Sequence, residues 1–310
     1  MSLEVELKLL LPAQHAAAVF AEVADYCRQQ LAAVEPAGSK TLLNAYFDTA
    51  DRWFRRHDSG LRTRQKQGQF EQTLKLAGQQ HGAAHIRPEY NVPVSGVVPE
   101  LSTFPAEVWP AGTDVAALQQ QLVELFRTDF VRETLLLQTN TGARIELVFD
   151  QGFVAGGGAQ ESICELELEL HAGAVSEIFT LCAQLLQRFS LSLGVQSKAE
   201  RGYLLCEQTP LHWQEFSPAD STADLLSKFL RNQLLVSRNL APDTQLLTQW
   251  QQWQVRLATE PAATALVQAA EALGSVPQQL PQPQALQHWL LQYSIWLLDP
   301  ATLNSHVLTA

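Results

Sequence analysis

Two segments of the chain carry a carboxylate at every second position. Residues 3–9 place Glu4 and Glu6 before Lys8, and residues 163–170 place glutamates at 165, 167 and 169, with apolar residues between most of them. A period of two sends successive side chains to opposite faces of a β-strand. Each segment is therefore predicted to be a strand with one apolar face and one charged face.

Basic side chains alternate in the same way in strands predicted between these two. Arg62 and Arg64 share a face after Gly60, and Lys75 shares a face with Thr73. Arginine offers forked donors that match phosphate oxygens, and lysine offers a compact positive charge. These strands therefore predict a surface that binds an anion such as a phosphate compound.

The charges are sorted by strand rather than mixed, which favours a shared interior over a solvated face. Carboxylates about 4 Å apart in one interior would repel by about 4 kcal/mol at an effective dielectric constant near 20. Mg²⁺ or Mn²⁺ would relieve this repulsion, because both bind carboxylate oxygens and share their shells with substrate phosphates. A closed antiparallel barrel, apolar outside and charged inside, lets many strands point at one axis. The residues thus indicate a metal-containing phosphate site, with a merely solvated sheet face as the alternative.

Composition narrows the classes of function. A length of 310 residues suggests two domains, and a net charge of -11 argues against nucleic-acid or anionic membrane partners, which require clustered cations. The four cysteines form no CxxC pair and have no zinc-binding spacing. The charged first strand argues against a secretory signal, and no apolar run approaches the roughly 20 residues that span a bilayer. The sequence predicts a cytoplasmic protein that binds a small molecule, and it is silent on oligomeric state.

The pattern of the chain changes near residue 206. Before it, strands dominate, with a short amphipathic helix expected from Val115 to Phe126 and a helix that Ser197 caps. After it, apolar residues recur at helical spacing. The helices predicted there lie at residues 218–238, 243–257, 261–273 and 283–298.

A set of short motifs occurs in the order in which one known family carries them. In chain order they are Glu4-x-Glu6-x-Lys8, Tyr46-Phe47-Asp48-Thr49, Leu61-Arg62-x-Arg64, Thr73-Leu74-Lys75, Arg87-x-Glu89, Phe130-x-Arg132, Asp150, Glu165-x-Glu167 and Ser197-Lys198. Over residues 1–205 the chain resembles the CYTH family, also called triphosphate tunnel metalloenzymes. Any single motif is weak evidence for the family, whereas the whole set in this order is specific to it.

The resemblance, together with the helical pattern after residue 206, implies an α+β fold. Residues 1–205 are expected to form a closed eight-stranded antiparallel β-barrel, a tunnel, with flanking helices. Residues 206–310 are expected to form an all-α domain. Most members of the family hydrolyse a triphosphate with Mg²⁺ or Mn²⁺, and some are adenylyl cyclases.

The resemblance also implies roles for the matching residues. The implied metal ligands are the carboxylates Glu4, Glu6, Asp150, Glu165 and Glu167. The implied triphosphate ligands are the cations Lys8, Arg62, Arg64, Lys75, Arg132 and Lys198, with Arg87 and Arg144 as weaker members. Lys8, Lys75 and Glu6 are the implied catalytic residues, and Glu169 is expected at the rim of the tunnel.

Three functions stay open. A CYTH-like domain followed by a helical one resembles bacterial inorganic triphosphatases that carry a CHAD domain, which favours hydrolysis of inorganic triphosphate. The match of residues 206–310 to such a domain is partial, because they hold few cations and scattered histidines. The second function is that of an enzyme acting on an organic triphosphate, a thiamine triphosphatase or an adenylyl cyclase. The third is a non-catalytic module that binds polyphosphate or a nucleotide.

Overall fold

Eight antiparallel strands close into a ring in the computed structural model, which describes residues 2–260, 263–272 and 283–308. In chain order the strands are β1 (Ser2–Leu10), β2 (Ala33–Asp48), β3 (Gly60–Lys66), β4 (Gln69–Lys75), β5 (Gln79–His81), β6 (Ala84–Val94), β7 (Val123–Gln138), β8 (Arg144–Gly156) and β9 (Ala159–Ala174). Around the ring the order is β1, β6, β4, β3, β2, β7, β8 and β9, and β9 pairs again with β1, while β5 lies off the ring. The predicted closed eight-stranded barrel is confirmed.

The ring order decides which strands face each other across the lumen. β3 and β9 are four strands apart in either direction, so the basic strand lies opposite the acidic one. Where β1 pairs with β9, Glu6 lies opposite Glu169 and Lys8 lies opposite Glu167. Closure of the ring therefore joins the two acidic strands and sets the basic strand across from them.

Helices cover the ring and form the C-terminal part of the chain. They are α1 (Ala16–Gln30), α2 (Trp53–Arg56), α3 (Val115–Gln120), α4 (Val175–Arg188), α5 (Lys198–Cys206), α6 (Thr222–Ser237), α7 (Asp243–Leu257), α8 (Thr264–Ala272), α9 (Pro283–Trp296) and α10 (Pro300–Asn304). Two short strands, β10 (Ser192–Gly194) and β11 (His306–Leu308), extend the sheet beside β1 and β9. The bounds of α7 are as predicted, α6, α8 and α9 overlap their predicted ranges, and α10 was not predicted. Positions 261, 262 and 273 lie outside the described residues. No helix within the described ranges has the length and apolar character to cross a membrane.

The prediction of a short amphipathic helix from Val115 to Phe126 is wrong in its second half. The helix ends at Gln120, and β7 begins at Val123. Phe126 pairs with β8 and stacks its ring on Tyr46 of β2, with centroids 4.5 Å apart. These contacts with distant segments outweigh the helical spacing of the apolar residues, because local propensity is a weak preference that tertiary packing overrides.

The outer face of the ring and the helices share one core. Val5, Leu7 and Leu9 of β1 are fully buried on this face, and the same apolar cluster includes Phe229 of α6 and Trp253 of α7. Burying one such large apolar side chain contributes about 1.5–3 kcal/mol. The helical part is thus packed onto the barrel, and the domain boundary between residues 205 and 206 stays a prediction.

Candidate active site

All eight strands of the ring direct side chains into one cavity of about 440 Å³, and α5 adds side chains to it. Alternation along each strand explains why the charged parity faces inward while the apolar parity meets the helices. The predicted site residues that line the cavity are Glu4, Glu6, Lys8, Arg62, Arg64, Lys75, Arg87, Arg132, Glu167 and Lys198. The structure therefore brings most of the predicted residues together.

Two predicted metal ligands, Asp150 and Glu165, lie behind this lining, 0% and 1% exposed. Asp150 accepts two hydrogen bonds from the guanidinium of Arg132, at 2.7 and 2.6 Å, and pairs with Lys198 at 2.7 Å. Glu165 accepts hydrogen bonds from Lys8 and Lys198, each at 2.6 Å. Their oxygens are engaged by cations, and their assignment as metal ligands stays a prediction.

Arg144 is the predicted substrate ligand that the fold does not bring to the cavity. It is exposed at the first position of β8 and pairs with Ala172 of β9. The register shifts between Arg144 and Ile145, which leaves His171 as the extra residue of a β-bulge. A bulge arises from the pairing of two strands, so the alternation along β8 alone could not detect it.

Six buried or mostly buried groups form an ion-pair network in which positive and negative charges match. Its members are Lys8, Arg132, Lys198, Asp150, Glu165 and Glu167. Burial opposes charge on both sides of the network, yet nearby carboxylates hold the pKa of Lys198 well above its ordinary value. Against the same burial, the charges of Lys198 and Lys8 hold the pKa of Glu167 well below its ordinary value. The network therefore fixes two ammonium groups beside the cavity in their charged form.

Glu4 is matched by cations from two neighbouring strands. It accepts hydrogen bonds from Lys75 of β4 and, at 3.0 Å, from Arg87 of β6. Burial acts to raise the pKa of Glu4, but the charges of Lys75 and Arg87 lower it overall. Lys75 also pairs with Glu89 at 2.8 Å, directly across the β4–β6 pair. Glu4 is thus ionised and held in place.

The other two carboxylates of the acidic strands lack a close cation. Among the described residues Glu6 has one ion pair, to Lys8 at 3.7 Å, and Glu169 has one, to His171, also at 3.7 Å. Burial, followed by the charge of Glu167, raises the pKa of Glu6. Burial, followed by the charge of Glu4, raises the pKa of Glu169 to about 7. Negative charge on this pair of adjacent carboxyls is therefore less well compensated than on the other carboxylates of the two strands.

The basic side of the cavity, Arg62 and Arg64 on β3, has the opposite imbalance. Arg64 donates to the amide oxygen of Asn44 at 2.7 Å, and Asn44 in turn donates to Thr128 at 2.8 Å. Burial, followed by the charges of Arg62 and Arg132, lowers the pKa of Arg64 to about 9. The buried Nε of Arg62 has no hydrogen-bond partner among the described residues, but against burial Tyr46 and Glu89 raise the pKa of Arg62. The positive charge of Arg64 is therefore the less compensated of the two.

α5 is fixed so that Lys198 enters the cavity. Ser197 caps the helix as predicted, its hydroxyl accepting a hydrogen bond from the Glu200 amide at 3.0 Å. At the other end of α5, Tyr203 donates to the buried carboxylate of Asp48 at 2.7 Å. The residues on which the helix depends thus include two members of the motif set, Asp48 and Ser197.

Several residues of the site were not among the predicted site residues. Glu169, expected at the rim, lines the cavity opposite Glu6, as the unbroken alternation through position 169 could have indicated. Glu89 also lines the cavity, and its place two residues after Arg87 puts it on the same face of β6. Arg201 of α5 contacts Glu165 at 3.4 Å from behind, a contact with no local signal in the sequence.

A closed antiparallel barrel whose acidic and basic strands face one charged cavity defines the architecture of a tunnel protein. Residues 2–203 match the model of the CYTH domain family, and the chain belongs to this family. It is 32% identical to an inorganic triphosphatase of Haemophilus influenzae over 201 residues, which are 60% of this chain and 54% of that protein. The chain thus aligns with about half the length of that relative.

Solved structures with a similar fold are more distant in sequence. A candidate adenylate cyclase from Bacillus halodurans is 20% identical, with a TM-score of 0.43, and the match covers 64% of this chain and 97% of that one. A candidate adenylyl cyclase from Hippeastrum, described as having a dominant triphosphatase activity, is 16% identical with a TM-score of 0.44. That match covers 65% of this chain and 94% of the other.

Proposed function

We propose that this protein hydrolyses inorganic triphosphate to pyrophosphate and phosphate inside the barrel, with Mg²⁺ or Mn²⁺ as its metal. The observation that carries the proposal is the separation of unmatched charge across one cavity. Arg62 and Arg64 offer positive charge on β3, and Glu6 and Glu169 offer negative charge where β1 meets β9. A linear polyphosphate with a bound divalent cation complements both sides at once.

The acidic side fits a hard divalent cation. Glu6 and Glu169 are cross-strand neighbours with raised pKa values, and Glu4 and Glu167 lie in the same lining. Four carboxylates supply the oxygen ligands that Mg²⁺ and Mn²⁺ prefer. A bound metal of this kind would neutralise phosphate oxygens and lower the pKa of a bound water.

The basic side and the network supply the remaining chemistry from the protein itself. Arg62 and Arg64 bind phosphate oxygens through forked donors, which orients the chain of phosphates along the lumen. Lys8 and Lys198 are held in place by the network before the substrate arrives. Their ammonium groups stabilise the negative charge that develops on the leaving pyrophosphate, and preorganised charge of this kind lowers the barrier most effectively.

The small charged cavity supports an inorganic substrate over an organic one. The lining is dominated by charged side chains, and its aromatic members are already engaged: Tyr46 stacks on Phe126, Tyr203 donates to Asp48, and the ring of Phe130 faces Arg132 and Lys198. A nucleobase or thiazole ring would require an apolar or stacking surface, as ligand pockets for such groups provide. Inorganic triphosphate has no ring and requires no apolar or stacking surface.

The test is phosphate release from inorganic triphosphate, ATP and thiamine triphosphate in parallel, each with Mg²⁺, Mn²⁺ or EDTA. We expect metal-dependent release from inorganic triphosphate, much weaker release from the other two, and none in EDTA. Faster phosphate release from ATP or thiamine triphosphate would show that the substrate is an organic triphosphate. A cyclic product from ATP would identify a cyclase. Tight triphosphate binding without any release would instead support a binding module.

A further inference from the structure

The helix that carries Lys198 into the cavity is held from outside by α6 of the C-terminal region. Arg231 of α6 directs both terminal guanidinium nitrogens at the carboxylate of Glu200, the longer contact being 3.4 Å. Glu200 lies in the first turn of α5, two residues after Lys198, and it also borders the cavity. This ion pair therefore ties α6 to the end of α5 from which Lys198 projects.

A second connection runs from the C-terminal end of α6 to the same network. Arg238 pairs with Glu161 at 2.8 Å, and the same oxygen of Glu161 accepts a hydrogen bond from Arg201 at 2.7 Å. Arg201 in turn contacts Glu165 at 3.4 Å, and Glu165 binds Lys198. Arg201 is buried, so solvent screens its pair with Glu161 less than it screens an ordinary surface pair, whereas Arg238 contacts Glu161 from the exposed end of α6.

α6 is itself a rigid support for these contacts. Leu226, Phe229 and Leu230 are at most 2% exposed in the core that the helices share with the barrel. Its first turn is closed by a capping box between Ser221 and Asp224. A helix anchored in this way can fix the position of the side chains that it contacts.

We propose that Arg231 and Arg238 are positioning residues that hold α5 so that Lys198 stays aligned in the cavity. The inference rests on the proposed function, in which Lys198 binds the phosphate chain. The C-terminal region thereby completes the active site, although none of its own side chains in the described ranges lines the cavity. A displacement of about 1 Å at a substrate ligand is enough to cost a large part of the rate.

The experiment is a double-mutant cycle between Arg231→Gln and Lys198→Ala, read as kcat/KM for inorganic triphosphate. Arg231→Gln is expected to lower kcat/KM about 10-fold, as the loss of a supporting contact to an active-site ligand commonly does. It should raise KM as well as lower kcat, and Arg231→Lys should recover most of the loss. In the Lys198→Ala background, Arg231→Gln should have little further effect, because it acts through Lys198.

Arg256→Gln is the matched control. Arg256 of α7 binds the backbone oxygens of Ser217, Pro218 and Asp220, and these contacts lie wholly within the C-terminal region. This variant should lower the melting temperature and leave kcat/KM unchanged. Glu200→Gln removes the same ion pair from the α5 side and provides a second test if Arg231→Gln does not fold.

Two results would overturn the inference. One is a loss of kcat/KM on Arg231→Gln that is equally large with and without Lys198. The other is a well-folded Arg231→Gln protein with unchanged kcat/KM. If the wild-type protein releases no phosphate, the proposed function fails separately, and the same cycle is then measured as affinity for tripolyphosphate by titration calorimetry.

Discussion

Two groups of charges share the cavity and differ in how they are satisfied. The ion-pair network around Lys8, Lys198 and Arg132 matches each cation with carboxylates at hydrogen-bond distance. Arg64 on one side and Glu6 on the other instead have shifted pKa values that reflect burial and like charges nearby. We call the ion-pair network the matched group, and Arg64, Glu6 and Glu169 the unmatched group. The matched charges stabilise one another, whereas the unmatched charges are stabilised only by a bound ligand.

The difference predicts opposite signatures for mutations in the two groups. Removing a member of the matched network leaves buried charges without partners, which costs stability. Removing a member of the unmatched group relieves repulsion, so function is lost while stability is kept. Stability and activity, measured on the same variants, therefore separate charges that are balanced within the fold from charges that a ligand must balance.

The largest effect is expected from Asp150→Asn in the matched network. It leaves Arg132 and Lys198 short of a carboxylate, and breaking a buried pair in this way costs about 3–5 kcal/mol. Urea unfolding followed by circular dichroism measures the change. Asp25→Asn, which breaks the exposed pair with Arg28, should change stability by less than about 1 kcal/mol. Equal losses in the two variants would contradict the distinction.

Glu6→Gln should abolish most turnover while the protein stays folded. Loss of a preorganised charged group at a reacting centre commonly lowers kcat about 10²–10³-fold. The melting temperature should be unchanged or higher, because the repulsion from Glu167 disappears. Glu22→Gln, at an exposed position of α1, is the control and should keep full activity. Undiminished metal-dependent turnover by a folded Glu6→Gln protein would show that Glu6 has no role in the reaction.

Arg64→Gln should weaken use of the substrate with little cost to folding. The loss of a charge-assisted hydrogen bond is worth about 1.5–3 kcal/mol, and it should appear in kcat/KM for triphosphate. Unfolding free energy should stay the same or rise, since Arg62 and Arg132 no longer face a third cation. Arg28→Gln on the exposed face of α1 serves as the comparison. A destabilised but fully active Arg64→Gln protein would place Arg64 in the matched group.

The smallest effect concerns pH. The pKa of Glu169 is raised from 4.5 to about 7, so its contribution to stability is present below pH 4.5 and is lost as the pH rises towards 7. In EDTA this should amount to about 1 kcal/mol, discounted because a third of the side chain is exposed. Glu169→Gln should flatten this part of the stability curve. The same slope in both proteins would show that Glu169 keeps an ordinary pKa.

Much of the site followed from local pattern, because a strand alternates its faces whatever it pairs with. The parity of Glu4, Glu6 and Lys8, and that of Arg62 and Arg64, is a property of the strand alone. Ser197 likewise caps α5 through a hydrogen bond within four residues of chain. Interactions of this range need no knowledge of the rest of the molecule.

What escaped prediction depends on contacts between distant segments. Phe126 belongs to a strand because β2 and β8 pair with it, and Arg144 lies outside the cavity at the exposed first position of β8. Glu165 has the same parity as Glu167, and only the tertiary structure shows that Lys8 of β1 and Lys198 of α5 both donate to it. These outcomes are decided by pairing register and by helix packing, which the order of residues along one strand does not contain.

Which side chains share a face, and which charges each strand carries, follows from the order of residues and from backbone geometry. Which faces meet depends on how the whole chain folds. Ring closure set β3 opposite β9, and the packing of α6 on α5 placed the support for Lys198. The physical reason is that electrostatic interactions depend on distance and burial, and both are established only when remote parts of the chain come together.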